Sequence, residues 1–120
     1  MGGKQGYLGG CHCGVVRYSV AIEPKPKVIS CNCSICSKRG LLLTFVPADD
    51  FKLTAGADAM IDYRFNTHKV HHMFCKACGV EAFANGTAPD GSGVVAVNVR
   101  CLEGFDFESL EPIKYDGRSL

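Results

Sequence analysis

Apolar and polar residues alternate with a period of two along most of this chain, which is the pattern of half-buried strands. Val16, Tyr18, Val20 and Ile22 alternate with Val15, Arg17, Ser19 and Ala21, and Pro24 and Pro26 end that run. Val28 to Cys33 is expected to continue as a strand, and Leu41 to Val46 forms a short apolar strand stopped by Pro47. Ile61, Tyr63 and Phe65 alternate with Met60, Asp62 and Arg64. Val70 to Phe74 leads into a cysteine pair, and Val80 to Ala84 leads away from it. Val95, Val97 and Val99 alternate with Val94, Ala96, Asn98 and Arg100, and a last short strand covers Ile113 to Tyr115. Turn signals separate these runs at Ala55-Gly56-Ala57-Asp58, Asn85-Gly86 and Asp90-Gly91-Ser92-Gly93. No long segment keeps a helical period, so helix is expected only as short turns at Ser34–Lys38, Ala48–Phe51 and Phe105–Leu110. The fold class that follows is all-β, with small antiparallel sheets or a sandwich.

The 120 residues fit one domain spanning positions 1–120. Thirteen basic residues against twelve acidic ones give a formal charge of +1 with no basic stripe. That balance argues against nucleic acid or an anionic membrane surface as the partner. No apolar run approaches the roughly 18 residues of a membrane span. The first fourteen residues hold one lysine and no apolar core, unlike a secretory signal, so a cytoplasmic location is expected.

Eight cysteines change the picture. Cys11 and Cys13 form C-x-C, Cys31, Cys33 and Cys36 form C-x-C-x2-C, Cys75 and Cys78 form C-x2-C, and Cys101 stands alone. Disulfides would meet a reducing cytosol, and scaffolds of that kind spread their cysteines over loops rather than pairing them along the chain. Tightly spaced cysteines point to metal, and thiolate-rich tetrahedral sites select zinc or iron–sulfur. The longer cysteine runs common in iron–sulfur proteins are absent, although a single iron in a four-cysteine site is compatible with the spacing. Two zinc ions are therefore expected.

Cys11-His12-Cys13-Gly14 and Cys75-Lys76-Ala77-Cys78-Gly79 each aim two sulfurs one way and end in a glycine that lets the backbone close around an ion. The simplest assignment joins Cys11, Cys13, Cys75 and Cys78 in one closed, structural four-thiolate site. Ile29, Cys31 and Cys33 would share one strand face, with Cys36 after a short turn. Three thiolates with a free fourth position are the catalytic pattern. The alternative is closure of that site by Cys101 or a histidine. Three thiolates donate strongly, so hydrolysis by bound hydroxide is disfavoured, whereas an incoming thiol would be held as thiolate. The expected chemistry is attack on, or release of, an electrophilic carbon by a substrate sulfur. Seven thiolates and two divalent ions would take the formal +1 to about −2, which weakens a nucleic-acid reading further.

Three stretches carry a family resemblance. Gly9-Gly10-Cys11-His12-Cys13-Gly14-Val15-Val16-Arg17-Tyr18, Cys31-Asn32-Cys33-Ser34-Ile35-Cys36 and His72-Met73-Phe74-Cys75-Lys76-Ala77-Cys78-Gly79 resemble the glutathione-dependent formaldehyde-activating enzymes. That family also contains the domain of centromere protein V. Val97 to Gly104 resembles its closing segment, so the resemblance runs from about Tyr7 to Tyr115. It implies paired or tented β-sheets with two zinc–thiolate centres. Cys11, Cys13, Cys75 and Cys78 would hold the structural zinc, and Cys31, Cys33 and Cys36 the catalytic one. The implied activity is condensation of glutathione with formaldehyde, a carbon–sulfur lyase reaction. The partners are then a small thiol and a small aldehyde.

Lys38 and Arg39 follow the open site and are candidates to meet the carboxylates of a peptide thiol. Ser34 is placed to cap a helical turn beside Cys33 and Cys36. Only one of His71 and His72 can face inward, and His72 is expected to pack or hydrogen-bond rather than ligate. His12 is expected to point away from the metal, Phe105 and Phe107 to cover the core, and Asn98 stands out in a valine strand. A non-enzymatic zinc module that binds a protein, or a zinc or redox sensor, are the competing functions.

Overall fold

The computed structural model describes residues 4–23, 25–64 and 70–116. Among these residues the strands form two sheets. β1 (Gln5–Gly10), β2 (Arg17–Ile22) and β5 (Phe51–Ala55) make the smaller, antiparallel one, with β2 in the middle. The larger sheet runs β10 (Ile113–Tyr115), β3 (Ile29–Cys31), β4 (Leu43–Pro47), β9 (Gly93–Asn98), β8 (Glu81–Thr87), β7 (His71–Cys75) and β6 (Met60–Tyr63). Its neighbours are antiparallel except for β10, which lies parallel to β3. One short helix, α1 (Ser34–Arg39), connects β3 to β4, and no helix among the described residues is long and apolar enough to cross a membrane.

The alternation in β2 is realised as expected: Tyr18, Val20 and Ile22 are buried, and the residues between them are half-buried. With Val16 they pack against Val46, Phe83, Val95 and Val97 of the larger sheet. Phe51 lies between Tyr18 and Phe83, with ring centroids 4.8 and 4.7 Å away. Each large apolar side chain buried this way contributes about 1.5–3 kcal/mol. Successive residues of a strand face opposite ways, so Leu43, Ala84 and Ala96 point to the other side of the larger sheet. There they pack with Ile35 and Cys36 of α1 and with Leu41. The helix is thus laid on the outer face, opposite the smaller sheet.

Several expectations need correction. β3 ends at Cys31, and Cys33 is the N-cap of α1, so Cys31 and Cys33 do not share a strand face. Ser34 is the first helical residue rather than the cap. Asn85-Gly86 is not a turn but part of β8, where both residues pair with β9. The strand expected to reach Arg100 stops at Asn98, whose side chain caps a 3-10 turn over Val99–Cys101. The segment 105–110 has turns but no helix. β1 and β5 were not anticipated. Phe65 and Pro24 lie outside the described residues.

Candidate functional site

Two cysteine groups come together. The sulfurs of Cys11, Cys13, Cys75 and Cys78 all lie within 4.8 Å of one another, as do those of Cys31, Cys33 and Cys36. None of these residues is disulfide-bonded.

The first group joins the β1–β2 loop to the β7–β8 loop by two knuckles of the same design. In one, Cys11 N–H donates to the Val16 carbonyl at 3.1 Å and Gly14 N–H to the Cys11 carbonyl at 3.3 Å. In the other, Cys75 N–H donates to the Val80 carbonyl at 3.0 Å and Gly79 N–H to the Cys75 carbonyl at 2.8 Å. Gly14 and Gly79 have φ of 84° and 81°, the left-handed region that glycine enters without a steric penalty. The sulfurs collect amide donors: Val16 N–H to Cys11 Sγ, and Ala77 and Cys78 N–H to Cys75 Sγ, all at 3.4 Å. Cys11 and Cys13 sulfurs are 3.5 Å apart, and those of Cys13 and Cys75 3.6 Å. A tetrahedral ion with metal–sulfur bonds of about 2.3 Å sets sulfurs about 3.8 Å apart, so the donor set fits one.

Electrostatics agree with that fit. Burial pushes the Cys78 thiol up, but amide donors from Val80 and Cys13 and the neighbouring thiols outweigh it and bring it to about 6. The Val15 amide favours the Cys13 thiolate, yet Cys11, burial, Cys75 and Cys78 raise it to about 11. Four adjacent thiolates repel one another, and a divalent cation removes that conflict.

The second group is local. Cys31 ends β3, Cys33 caps α1 and Cys36 lies within α1. Cys33 N–H donates to Cys31 Sγ at 3.4 Å and Cys36 N–H to Cys33 Sγ at 3.5 Å. Burial raises the Cys33 thiol, but the Cys36 amide and thiol and the Cys31 thiol outweigh it, and the net shift is downward. Burial, then neighbouring Cys33, push the Cys36 thiol up. No fourth Cys, His, Asp or Glu among the described residues joins the three sulfurs. Cys31 and Cys33 are half-buried, whereas Cys36 is buried. A cavity of about 460 Å³ opens beside Cys31 and Cys36, and its wall includes Asn32, Arg100, Lys114 and Asp116.

Cys101 does not belong to the second group. It packs against the main core. Its thiol is raised to about 11, first by burial and then by the charges of Cys11, Cys78 and Glu81. His12 is exposed and stands apart from the sulfurs. His72 is buried, with Nδ1 hydrogen-bonded to Glu81 Oε2 at 2.9 Å, and exposed His71 pairs with Asp62. Arg39 is engaged by Glu81, and Lys38 lines a separate hollow with Ser34, Ile35 and Tyr63. Phe105 and Phe107 pack at the edge of the core, the latter under the Arg100 guanidinium. Asn98 Nδ2 donates to the Glu81 carbonyl at 3.0 Å, so it serves the frame of the sheet.

A sequence model described as glutathione-dependent formaldehyde-activating enzyme matches residues 6–114. The chain belongs to the glutathione-dependent formaldehyde-activating enzyme family. The crystal structure of a Rhodobacter sphaeroides protein is similar, with a TM-score of 0.75 at 28% identity, covering 89% of this chain and 97% of that one. Both cysteine groups and the cavity beside Cys31 lie within, or at the edge of, the span matched to the formaldehyde-activating family. Two residues were missed in the sequence as candidates for the cavity wall: Arg100, at the end of an apolar strand, and Lys114, in a short terminal one. The parallel docking of β10 beside β3 brings Lys114 to the wall of the cavity beside Cys31.

Proposed function

We propose that this chain is a single-domain, two-zinc enzyme that joins a glutathione-like thiol to formaldehyde or another small aldehyde, and cleaves the same adduct. Cys11, Cys13, Cys75 and Cys78 hold a structural zinc, and Cys31, Cys33 and Cys36 hold a catalytic one. The observation that carries the reading is the three-sulfur group with no fourth protein donor among the described residues, two of its cysteines, Cys31 and Cys36, lining a cavity of about 460 Å³. Bound there, zinc would supply a site that keeps a substrate thiol in its thiolate form. The chain's own residues do the rest. Cys31, half-buried, stands on the wall of that cavity. Arg100 and Lys114 on the cavity wall meet the carboxylates of a peptide thiol, the role the sequence assigned to Lys38 and Arg39. In the reaction a sulfur–carbon bond forms, the carbonyl π bond breaks, and the thiol proton ends on the new hydroxyl. Nothing is oxidised or reduced, which places the reaction among carbon–sulfur lyases.

The test is exchange between glutathione and its hydroxymethyl adduct, followed by NMR with and without protein. Acceleration that disappears in Cys33→Ser supports the reading. Equal acceleration by both proteins refutes the catalytic role.

A second reading, a zinc-stabilised protein-interaction module, draws on exposed Phe45 and Val70 beside a hollow of about 340 Å³ on the larger sheet. It predicts two zinc ions in native mass spectra that glutathione leaves unchanged, and no exchange above background.

A further inference from the structure

Glu81 is the buried carboxylate among the described residues, with 1% of its side chain exposed. Both of its oxygens are engaged. Oε1 accepts from Arg39 Nη1, and Oε2 is hydrogen-bonded to His72 Nδ1 at 2.9 Å. The Arg39 guanidinium also lies 4.9 Å from the centre of the Phe74 ring on β7. Burying a charge pair costs several kcal/mol in desolvation, and an apolar replacement is often as stable. Stability alone therefore does not account for this one.

Its position suggests what does. Arg39 is the last residue of α1, which contains Cys36 and is capped by Cys33, two of the three cysteines of the second group. A helix this short does not hold itself together in water. The strand before it, β3, is joined to β4 through a single register pair, Ile29 with Leu43. Ile35 and Cys36 seat one side of the helix on the outer face of the sheet. Arg39 fixes its far end to Glu81, the first residue of β8 after the Cys75–Cys78 knuckle.

We propose that Glu81 is a positioning residue: through Arg39 it clips α1 to the larger sheet and holds Cys33 and Cys36 at the spacing that tight metal binding with Cys31 requires. This rests on the reading that the three cysteines hold a metal. Residues that orient metal ligands typically contribute about 10–100-fold to metal affinity, and that range is the effect expected here.

The test is chelator competition on the zinc-loaded chain, with cobalt(II)-exchanged samples read by visible absorption. Cys13→Ser and Cys33→Ser mark which signal belongs to which centre. Glu81→Gln and Arg39→Met are each expected to weaken the second centre about 10–100-fold and shift its cobalt d–d bands, with the first centre unmoved. Arg39→Lys, which keeps the charge, should recover part of the loss. If Glu81→Gln fails to fold, Arg39→Met decides, since Arg39 is partly exposed and Met keeps its apolar stem. Equal weakening of both centres overturns the proposal, because that is general loss of structure. So does an unmoved second centre, or a loss in Arg39→Lys as large as in Arg39→Met. A Cys33→Ser chain that holds as much zinc as the wild type defeats the metal reading beneath it, a result distinct from failure of the clip.

Discussion

The two proposed centres make opposite demands on the chain, and their removal should show it. Cys13 and Cys75 are 62 positions apart, so an ion held between them closes a long loop and ties the smaller sheet to the larger one. Cys31 and Cys36 lie within six consecutive residues, so an ion there closes almost nothing. Loop-closure entropy grows as (3/2)RT ln n, and the ratio of these separations gives the first centre an advantage of about 2 kcal/mol in cross-linking alone. An unfolding entropy of about 2.1 cal/mol/K per residue over 120 residues turns that gap into about 8 °C in Tm. The comparison is Cys13→Ser/Cys78→Ser against Cys31→Ser/Cys33→Ser, pairs chosen because none of the four residues is fully buried. Each removes two ligands from its centre with little loss of packing. Zinc content by mass spectrometry confirms that each has lost one ion, and thermal unfolding in reductant gives the two Tm values. The first pair should melt lower by about 8 °C or more. Equal melting, or a lower Tm for the second pair, refutes the structural assignment of the first centre.

Three further outcomes follow from the geometry. Gly10→Ala would set a Cβ 2.1 Å from the Val16 carbonyl that closes the Cys11 knuckle, whereas Gly6→Ala on the same strand meets nothing within 4 Å. Overpacking of this kind costs about 1–3 kcal/mol or more, so urea unfolding should separate the two variants by at least about 1 kcal/mol, and equal midpoints would sink the knuckle geometry. Phe83→Ala removes a buried ring that packs on both Tyr18 and Phe51 and should cost about 3–5 kcal/mol in denaturant titration; a loss below about 1 kcal/mol would place the core elsewhere. Arg100→Ala/Lys114→Ala should raise KM for glutathione by about tenfold or more, since charge-assisted bonds contribute about 1.5–3 kcal/mol, with little effect on a neutral thiol such as mercaptoethanol. A matching rise for both thiols would remove these cations from substrate recognition.

Most of the β architecture was legible because side chains on a half-buried strand must alternate, and β2 does so residue by residue. β1 was not, because Gln5–Gly10 is glycine-rich and half exposed; it is a strand by virtue of pairing with β2 along its whole length. Gly9 shows why it has no apolar pattern: the Tyr18 ring from β2 lies where its Cβ would be, 2.7 Å away. Asn85-Gly86 reads as a turn locally, and pairing with Val95 and Val94 overrides that preference. Glu81 carried no signal at all, since a lone acid after a valine looks like any solvated strand residue, and its partner Arg39 is 42 positions away.

The geometry inside each knuckle was readable from the chain alone, because a C-x-C or C-x2-C closed by a left-handed glycine needs only a handful of adjacent residues. Tertiary structure decided what stands around them. The Cys11 and Cys75 knuckles came together, Cys101 packed against the core, Arg100 and Lys114 came to the cavity beside Cys31 and Cys36, and a buried carboxylate met the end of α1. Those outcomes depend on which strands pair and which face α1 covers. Such choices are made by the summed burial of side chains far apart in the chain, and no short window of residues contains them.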